Sequence, residues 1–283
     1  MSEKRLRSSR RFNRDPDQRR NPVEVGINRK PKIGHRSPLV TCHLSLFTCS
    51  MCVRYTLHKT DAALAAIAKA LSRQFAPPEW VKPRYNVTLT HVMPVVALAG
   101  GAPEVRGMMW GLVPFFERKK VQMRMLPNAK SETAATSPAF RQPVAKRRCL
   151  VPANGFYEWR TEGKIKRPFV FMLQDEEPFA FAGIWEPAEG DTPETYGILT
   201  TEPNAVVSPI HNRMPVLLTA ETMPRWLGDQ PLAEADYREL TRPLAPERMT
   251  ARAVNRFVSN SRNEGPRCLE PPDADPPELT LGL

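Results

Sequence analysis

Cys52 directly follows Met51, and that order permits chemistry that no internal cysteine has. If translation begins at Met51 and the methionine is removed, Cys52 carries an α-amine and a thiol on adjacent carbons. Such a 1,2-aminothiol captures aldehydes. The amine adds to the carbonyl and loses water to give a Schiff base, and the thiolate closes on the imine carbon to make a five-membered thiazolidine. An α-amine of pKa ~7.7–8.0 is partly free base at neutral pH, whereas a lysine near ~10.4 is protonated. The thiol, near ~8.5, needs modest help to ionise. The competing reading is an inert cysteine buried at the start of a strand, since free cysteine is among the most buried residue types.

The five cysteines, Cys42, Cys49, Cys52, Cys149 and Cys268, are an odd number without framework spacing, which argues against a disulfide scaffold. Cys49 and Cys52 form a C-x-x-C near Cys42-His43, but no second C-x-x-C follows and no βαβ pattern surrounds it. Neither a metal site nor an organic cofactor is expected.

The elements that must position this chemistry lie downstream. Of the net charge of +11, residues 1–50 carry +8, from 12 Lys and Arg against 4 Asp and Glu, which leaves +3 for the rest. Any nucleic-acid site in the body is therefore a local patch. Residues 1–50 show no sustained apolar period and read as a disordered basic extension. A nucleic-acid tail, a targeting segment and upstream sequence added by a mis-assigned start all fit; the last places Cys52 behind an initiator methionine. No run of eighteen apolar residues occurs, so no membrane span is expected. A cytoplasmic protein is.

From Thr60 the apolar positions Leu64, Ile67, Ala68, Leu71 and Phe75 follow a helical period, stopped by Pro77 and Pro78. Strands are expected at Arg84 to Val87, His91 to Ala99, Val105 to Val113, from Cys149, Phe156 to Trp159, Lys166 to Leu173, Phe179 to Trp185, Thr195 to Thr201 and Met249 to Phe257. Asn154-Gly155 reads as a turn. Short helices are expected over Phe140 to Arg148 and from Thr219 to Leu227. The tail from Pro271 reads as frayed. Many short strands and few helices define an α+β fold with mostly antiparallel sheets.

Taken together, Met51-Cys52-x-Arg54-Tyr55, Arg84-Tyr85-Asn86, Trp110-Gly111-Leu112-x-Pro114, Asn128-Ala129-x-x-Glu132-Thr133, Arg148-Cys149-Leu150-x-Pro152-Ala153-x-Gly155-Phe156-Tyr157-Glu158-Trp159, His211-Asn212-Arg213-Met214-Pro215, Val254-Asn255 and Asn263-x-Gly265-Pro266-x-Cys268 resemble the SOS-response-associated peptidase (SRAP) family of abasic-site processing proteins. The resemblance covers residues 51–270. It implies a single domain of barrel-like sheets with a few flanking helices, acting as a monomer. It also implies covalent capture of abasic sites in single-stranded DNA through Cys52, in the cytoplasm and on the nucleoid when bound, with Asn128, Glu158 and His211 as the other active-site residues.

In that scheme Glu158, among Phe156, Tyr157 and Trp159, is the proton shuttle, His211 assists opening of the sugar, and Asn128 orients the amine or the C1 oxygen. Arg54, Arg84, Lys130, Arg148 and Arg213 would hold the DNA, with Trp110 as a stacking residue; Trp159 and Trp185 read as core. Val53 stands where the family has glycine, Lys130 where it has arginine, and Thr88-Leu89 where it has Ala-Pro. These departures bear on DNA affinity more than on reaction type. β-Lyase chemistry through the Schiff base would accompany the capture. The alternatives are a cysteine-type peptidase using Cys52, Glu158 and His211, removing residues 1–51 autocatalytically, and a non-catalytic nucleic-acid reader in which Cys52 is structural.

Overall fold

The structure is a computed structural model that describes residues 53–75, 77–120 and 123–273. Cys52, the C-x-x-C, the basic extension and most of the tail lie outside the described residues. In chain order the elements are β1 (Tyr55–Leu57), α1 (Thr60–Ala70), β2 (Arg84–Val87), β3 (Val92–Ala99), β4 (Ala102–Trp110), β5 (Asn128–Lys130), α2 (Ser131–Ala134) and α3 (Arg141–Lys146). Then follow β6 (Arg148–Ala153), β7 (Gly155–Glu162), β8 (Ile165–Leu173), β9 (Phe179–Glu186), β10 (Thr195–Thr201), β11 (Met214–Pro215), β12 (Leu217–Leu218), α4 (Met223–Trp226), α5 (Glu234–Leu240) and β13 (Met249–Ala253).

The strands form two sheets. One has five strands in the order β13-β8-β7-β1-β2, and the other eight, in the order β11-β10-β4-β3-β6-β9-β12 with β5 added alongside β10. A further β10–β9 pairing closes β10, β4, β3, β6 and β9 into a ring. Most pairings are antiparallel, as expected, with β10 parallel to β4 and β5. This is a sheet-dominated α+β fold. Among the described residues no helix is long and apolar enough to cross a membrane.

Period-two alternation sorts the side chains into layers. Tyr55, Phe156 and Phe171 of the smaller sheet meet Val95, Trp110, Phe181 and Tyr196 of the larger one in the central core. On β6, Cys149 and Val151 face that core, while Leu150 points the other way with Leu64, Ile67 and Trp226 under the helices. The outer face of the smaller sheet packs Tyr157, Val170 and Met172 against Val254, Val258 and Cys268. Residues 254–268 are thus a wall on that sheet.

Several boundaries differ from the sequence expectation for identifiable reasons. Helix α1 stops at Ala70 instead of Phe75 because Ser72 takes a left-handed conformation (φ 49°). The Ser72 amide donates to Lys69 O and the Arg73 amide to Ala68 O, a Schellman closure built without the usual glycine. Strand β4 ends at Trp110, short of Val113, where Gly111 (φ 119°) breaks the ladder. Asn154-Gly155 is not a hairpin turn. Asn154 is the step by which the chain leaves the large sheet after β6 and enters the small one as β7. Its side chain accepts from the Lys59 amide at 2.8 Å.

Candidate active site

A groove with a cavity volume of about 1450 Å³ opens along β7. Its lining includes Val53, Arg54, Glu158, Trp159, His211 and Ser259. Val53 is the residue after Cys52. Glu158 stands on β7 opposite Phe169 of β8, and its side chain is only 7% exposed. The register explains this: Phe156 faces the central core, and two residues on Glu158 takes the same face at the rim.

His211 comes from the loop between β10 and β11, 53 positions from Glu158 in sequence, and its Nε2 lies 3.9 Å from Glu158 Oε2. That separation pairs them electrostatically but exceeds a direct hydrogen bond. The ring is fixed from behind, with Nδ1 2.9 Å from Arg213 O and 3.1 Å from Arg213 N. Only one of these contacts operates in a given tautomer, but both aim Nε2 at Glu158.

Asn128 is buried at the start of β5, beside Ile198 of β10. It is not among the described residues lining the groove. It is tied to the His211 turn through its neighbours: Arg213 makes a two-pronged ion pair with Glu132 (2.7 and 2.8 Å) and donates to Thr200 O at 2.6 Å. Glu132 lies in the first turn of α2, which directly follows β5. This ion pair links the segments that carry Asn128 and His211. The guanidinium holds the Glu132 carboxyl below its usual range against the opposing effect of burial.

The expected DNA-holding residues divide by burial. Arg54 lines the groove but also donates to Asn86 Oδ1 (2.9 Å) and Val258 O (2.7 Å), with its guanidinium 5.6 Å from the Trp159 ring centre. Asn86 completes the tie to the wall through the carbonyls of Val258, Asn260 and Asn263. Arg84 pairs with Glu264 at 3.0 Å. Arg213 is spent largely on Glu132 and Thr200, and Lys130 is exposed next to it.

Two residues are corrected. Trp110, expected to stack on bases, is 1% exposed, wedged in the central core against Tyr55 and Tyr196 with Nε1 donating to Pro127 O. Arg148, expected to hold DNA, is 2% exposed; it donates to the carbonyls of Trp226, Val144 and Ala145. Strand β6 is covered on both faces, so its first residue is inside too. Replacing Arg148 by alanine is expected to strand these carbonyls, at ~1–3 kcal/mol for each buried group left without a partner. Chemical denaturation should show a loss of at least about 3 kcal/mol.

The sequence reading missed groove residues. Trp159, read as core, lines the groove with Nε1 on Ser259 Oγ at 2.9 Å. Trp185 packs partly buried against the central core. Arg160, Lys164, Lys166 and Arg256 line the groove as well, leaving Glu158 the one carboxylate among its described lining residues. The signal of the first three, alternating basic positions on a hairpin beginning two residues after Glu158, is also that of an ordinary solvated turn.

Fold and site define a two-sheet α+β protein whose basic groove encloses a Glu–His pair. The family model described as SOS response associated peptidase (SRAP) matches residues 51–261, and the chain belongs to that family. It is 34% identical over 226 residues to the Bacillus subtilis (strain 168) protein named abasic site processing protein YoqW, covering 78% of this chain and 99% of that one. It is 35% identical over 192 residues to abasic site processing protein HMCES of Gallus gallus, covering 58% of this chain and 56% of that one. A crystal structure of a Bacteroides thetaiotaomicron protein superposes with a TM-score of 0.64 at 29% identity, covering 78% of this chain and 99% of that one.

Proposed function

We propose that this protein processes abasic sites in single-stranded DNA by crosslinking to them through an amino-terminal Cys52. The carrying observation is that Val53, next to Cys52, lines the same basic groove as the paired Glu158 and His211. The family match beginning at Met51 and the names of the relatives support it.

An abasic deoxyribose is partly a ring-opened aldehyde. His211 donates a proton to the ring oxygen as the sugar opens. The Cys52 amine attacks C1, and Glu158 passes the proton that turns the carbinolamine oxygen into departing water. The Cys52 thiolate then adds to the imine carbon while the nitrogen takes up a proton. One C–N and one C–S bond form, one water leaves and no electrons are transferred, so neither metal nor organic cofactor is required. Asn128 steadies the segment behind His211 and offers an amide to the amine or the C1 oxygen. The groove lies within one chain, so a monomer suffices.

The chemistry needs a free amine on Cys52, hence a mature chain without residues 1–51. Purified protein incubated with an abasic single-stranded oligonucleotide is expected to give a denaturant-stable adduct. Its mass should equal a chain beginning at Cys52 plus the oligonucleotide less one water. A chain retaining Met1 and forming no adduct overturns the proposal. A chain cut before Cys52 that cleaves peptides and forms no adduct favours the peptidase reading.

A further inference from the structure

We propose that the tip of the β7–β8 hairpin is a phosphate-tracking arm that grips the DNA strand on one side of the captured lesion, with Lys164 and Lys166 as its contacts. This rests on the DNA reading above and assigns a part of the surface that the capture chemistry does not use.

Strand β7 runs outward from Glu158 and returns as β8, with Arg160 facing Arg167, Thr161 facing Lys166 and Glu162 facing Ile165. Up to Glu158 the strand is covered by core. Beyond it Arg160, Thr161, Gly163, Lys164, Ile165 and Lys166 are exposed, so this end of the hairpin is not held by packing against the sheets. Its four cationic side chains face one carboxylate, Glu162. Within the hairpin the charges are unequally committed. Glu162 bridges Arg160 and Arg167, and the Arg160 guanidinium sits 4.9 Å from the Phe169 ring centre. Those two arginines stiffen the ribbon, while Lys164 and Lys166 line the groove at its exposed tip.

Lysine at such positions is a mobile point charge, suited to a polyanion and poor at reading base edges. The ribbon also sets the reach. Gly163 lies five residues beyond Glu158, about 16 Å at ~3.3 Å per residue. A stacked strand places one phosphate every ~3.4 Å, so the arm reaches up to about five nucleotides from the lesion, and only on the side toward which β7 points.

The test uses the mature wild-type protein and a Lys164→Ala/Lys166→Ala double variant at exposed positions. Both are titrated across salt concentrations with a single strand carrying a reduced abasic site that has no aldehyde, so that binding is read without capture. Single-strand contacts contribute ~0.7 each to the slope of log K against log salt. The variant is expected to lose about 1.4 from that slope. The difference should vanish when one flank of the oligonucleotide is trimmed to two nucleotides, and persist when the other is. An unchanged slope, or equal sensitivity to both flanks, overturns the arm. Failure of wild-type protein to capture an aldehyde-bearing lesion that it binds would instead overturn the capture mechanism.

Discussion

A Cys52→Ala variant is expected to form no denaturant-stable adduct with an abasic strand, a complete loss rather than a slowing. The reason is the position of the last equilibrium. An alanine amino terminus retains the α-amine, so a Schiff base still forms, but an imine in water hydrolyses back to amine and aldehyde. Only ring closure by the neighbouring thiolate converts it into a saturated thiazolidine carbon that survives denaturation. Borohydride, which reduces the imine, should therefore rescue a crosslink in Cys52→Ala and be dispensable for wild type. Cys52→Ser should behave like the alanine variant in the absence of borohydride. One residue inserted ahead of Cys52 keeps the thiol and moves the amine away, and it too should abolish the stable adduct. If Cys52→Ala forms that adduct as fast as wild type without borohydride, another residue is the nucleophile.

The sequence carried the long elements and lost the short ones, for a physical reason. Strands such as Phe179–Glu186 and Thr195–Thr201 bring enough apolar residues to announce themselves. The two- and three-residue strands β1, β5 and β11 exist because longer neighbours offer them hydrogen-bond partners, which no local window contains. Burial was the harder property. Trp110 and Arg148 belong to family blocks, Arg148 to the one that also carries Glu158, and a block does not say which members face the groove and which are buried beneath it. Their burial follows from β4 and β6 lying in the interior of the larger sheet, a fact of topology.

The candidate site was legible only through the resemblance, since nothing local distinguishes Glu158 from a solvated strand carboxylate or His211 from a structural loop histidine. The geometry gives the family blocks separate mechanical tasks. Arg54 and Asn86 fasten the wall at residues 258–263 beside the groove. The Arg213–Glu132 pair fastens the β5–α2 segment to the loop that aims His211. Blocks far apart in sequence are thus braces around one space. Charged members of such blocks are easily mistaken for ligand contacts.

Glu158→Gln separates proton transfer from these supporting roles. Glutamine is nearly isosteric and can donate and accept hydrogen bonds, but it cannot exchange a proton in the relevant pH range. Its side chain would occupy the same near-buried place opposite Phe169, so fold and groove are expected to persist. General acid–base assistance by a positioned group accounts for ~10²–10⁴ in rate, and the rate of adduct formation at saturating abasic strand should fall within that range. Affinity for the non-aldehyde strand should stay constant or tighten slightly, because the substitution removes the one carboxylate from a groove whose described lining carries Arg54, Arg160, Lys164, Lys166 and Arg256. The pH–rate profile adds a readout that mere misfolding would not give. The variant should lose the limb that requires an ionisable group at 158. A parallel loss of rate and affinity would mean that Glu158 supports the groove, leaving His211 as the residue that moves the proton.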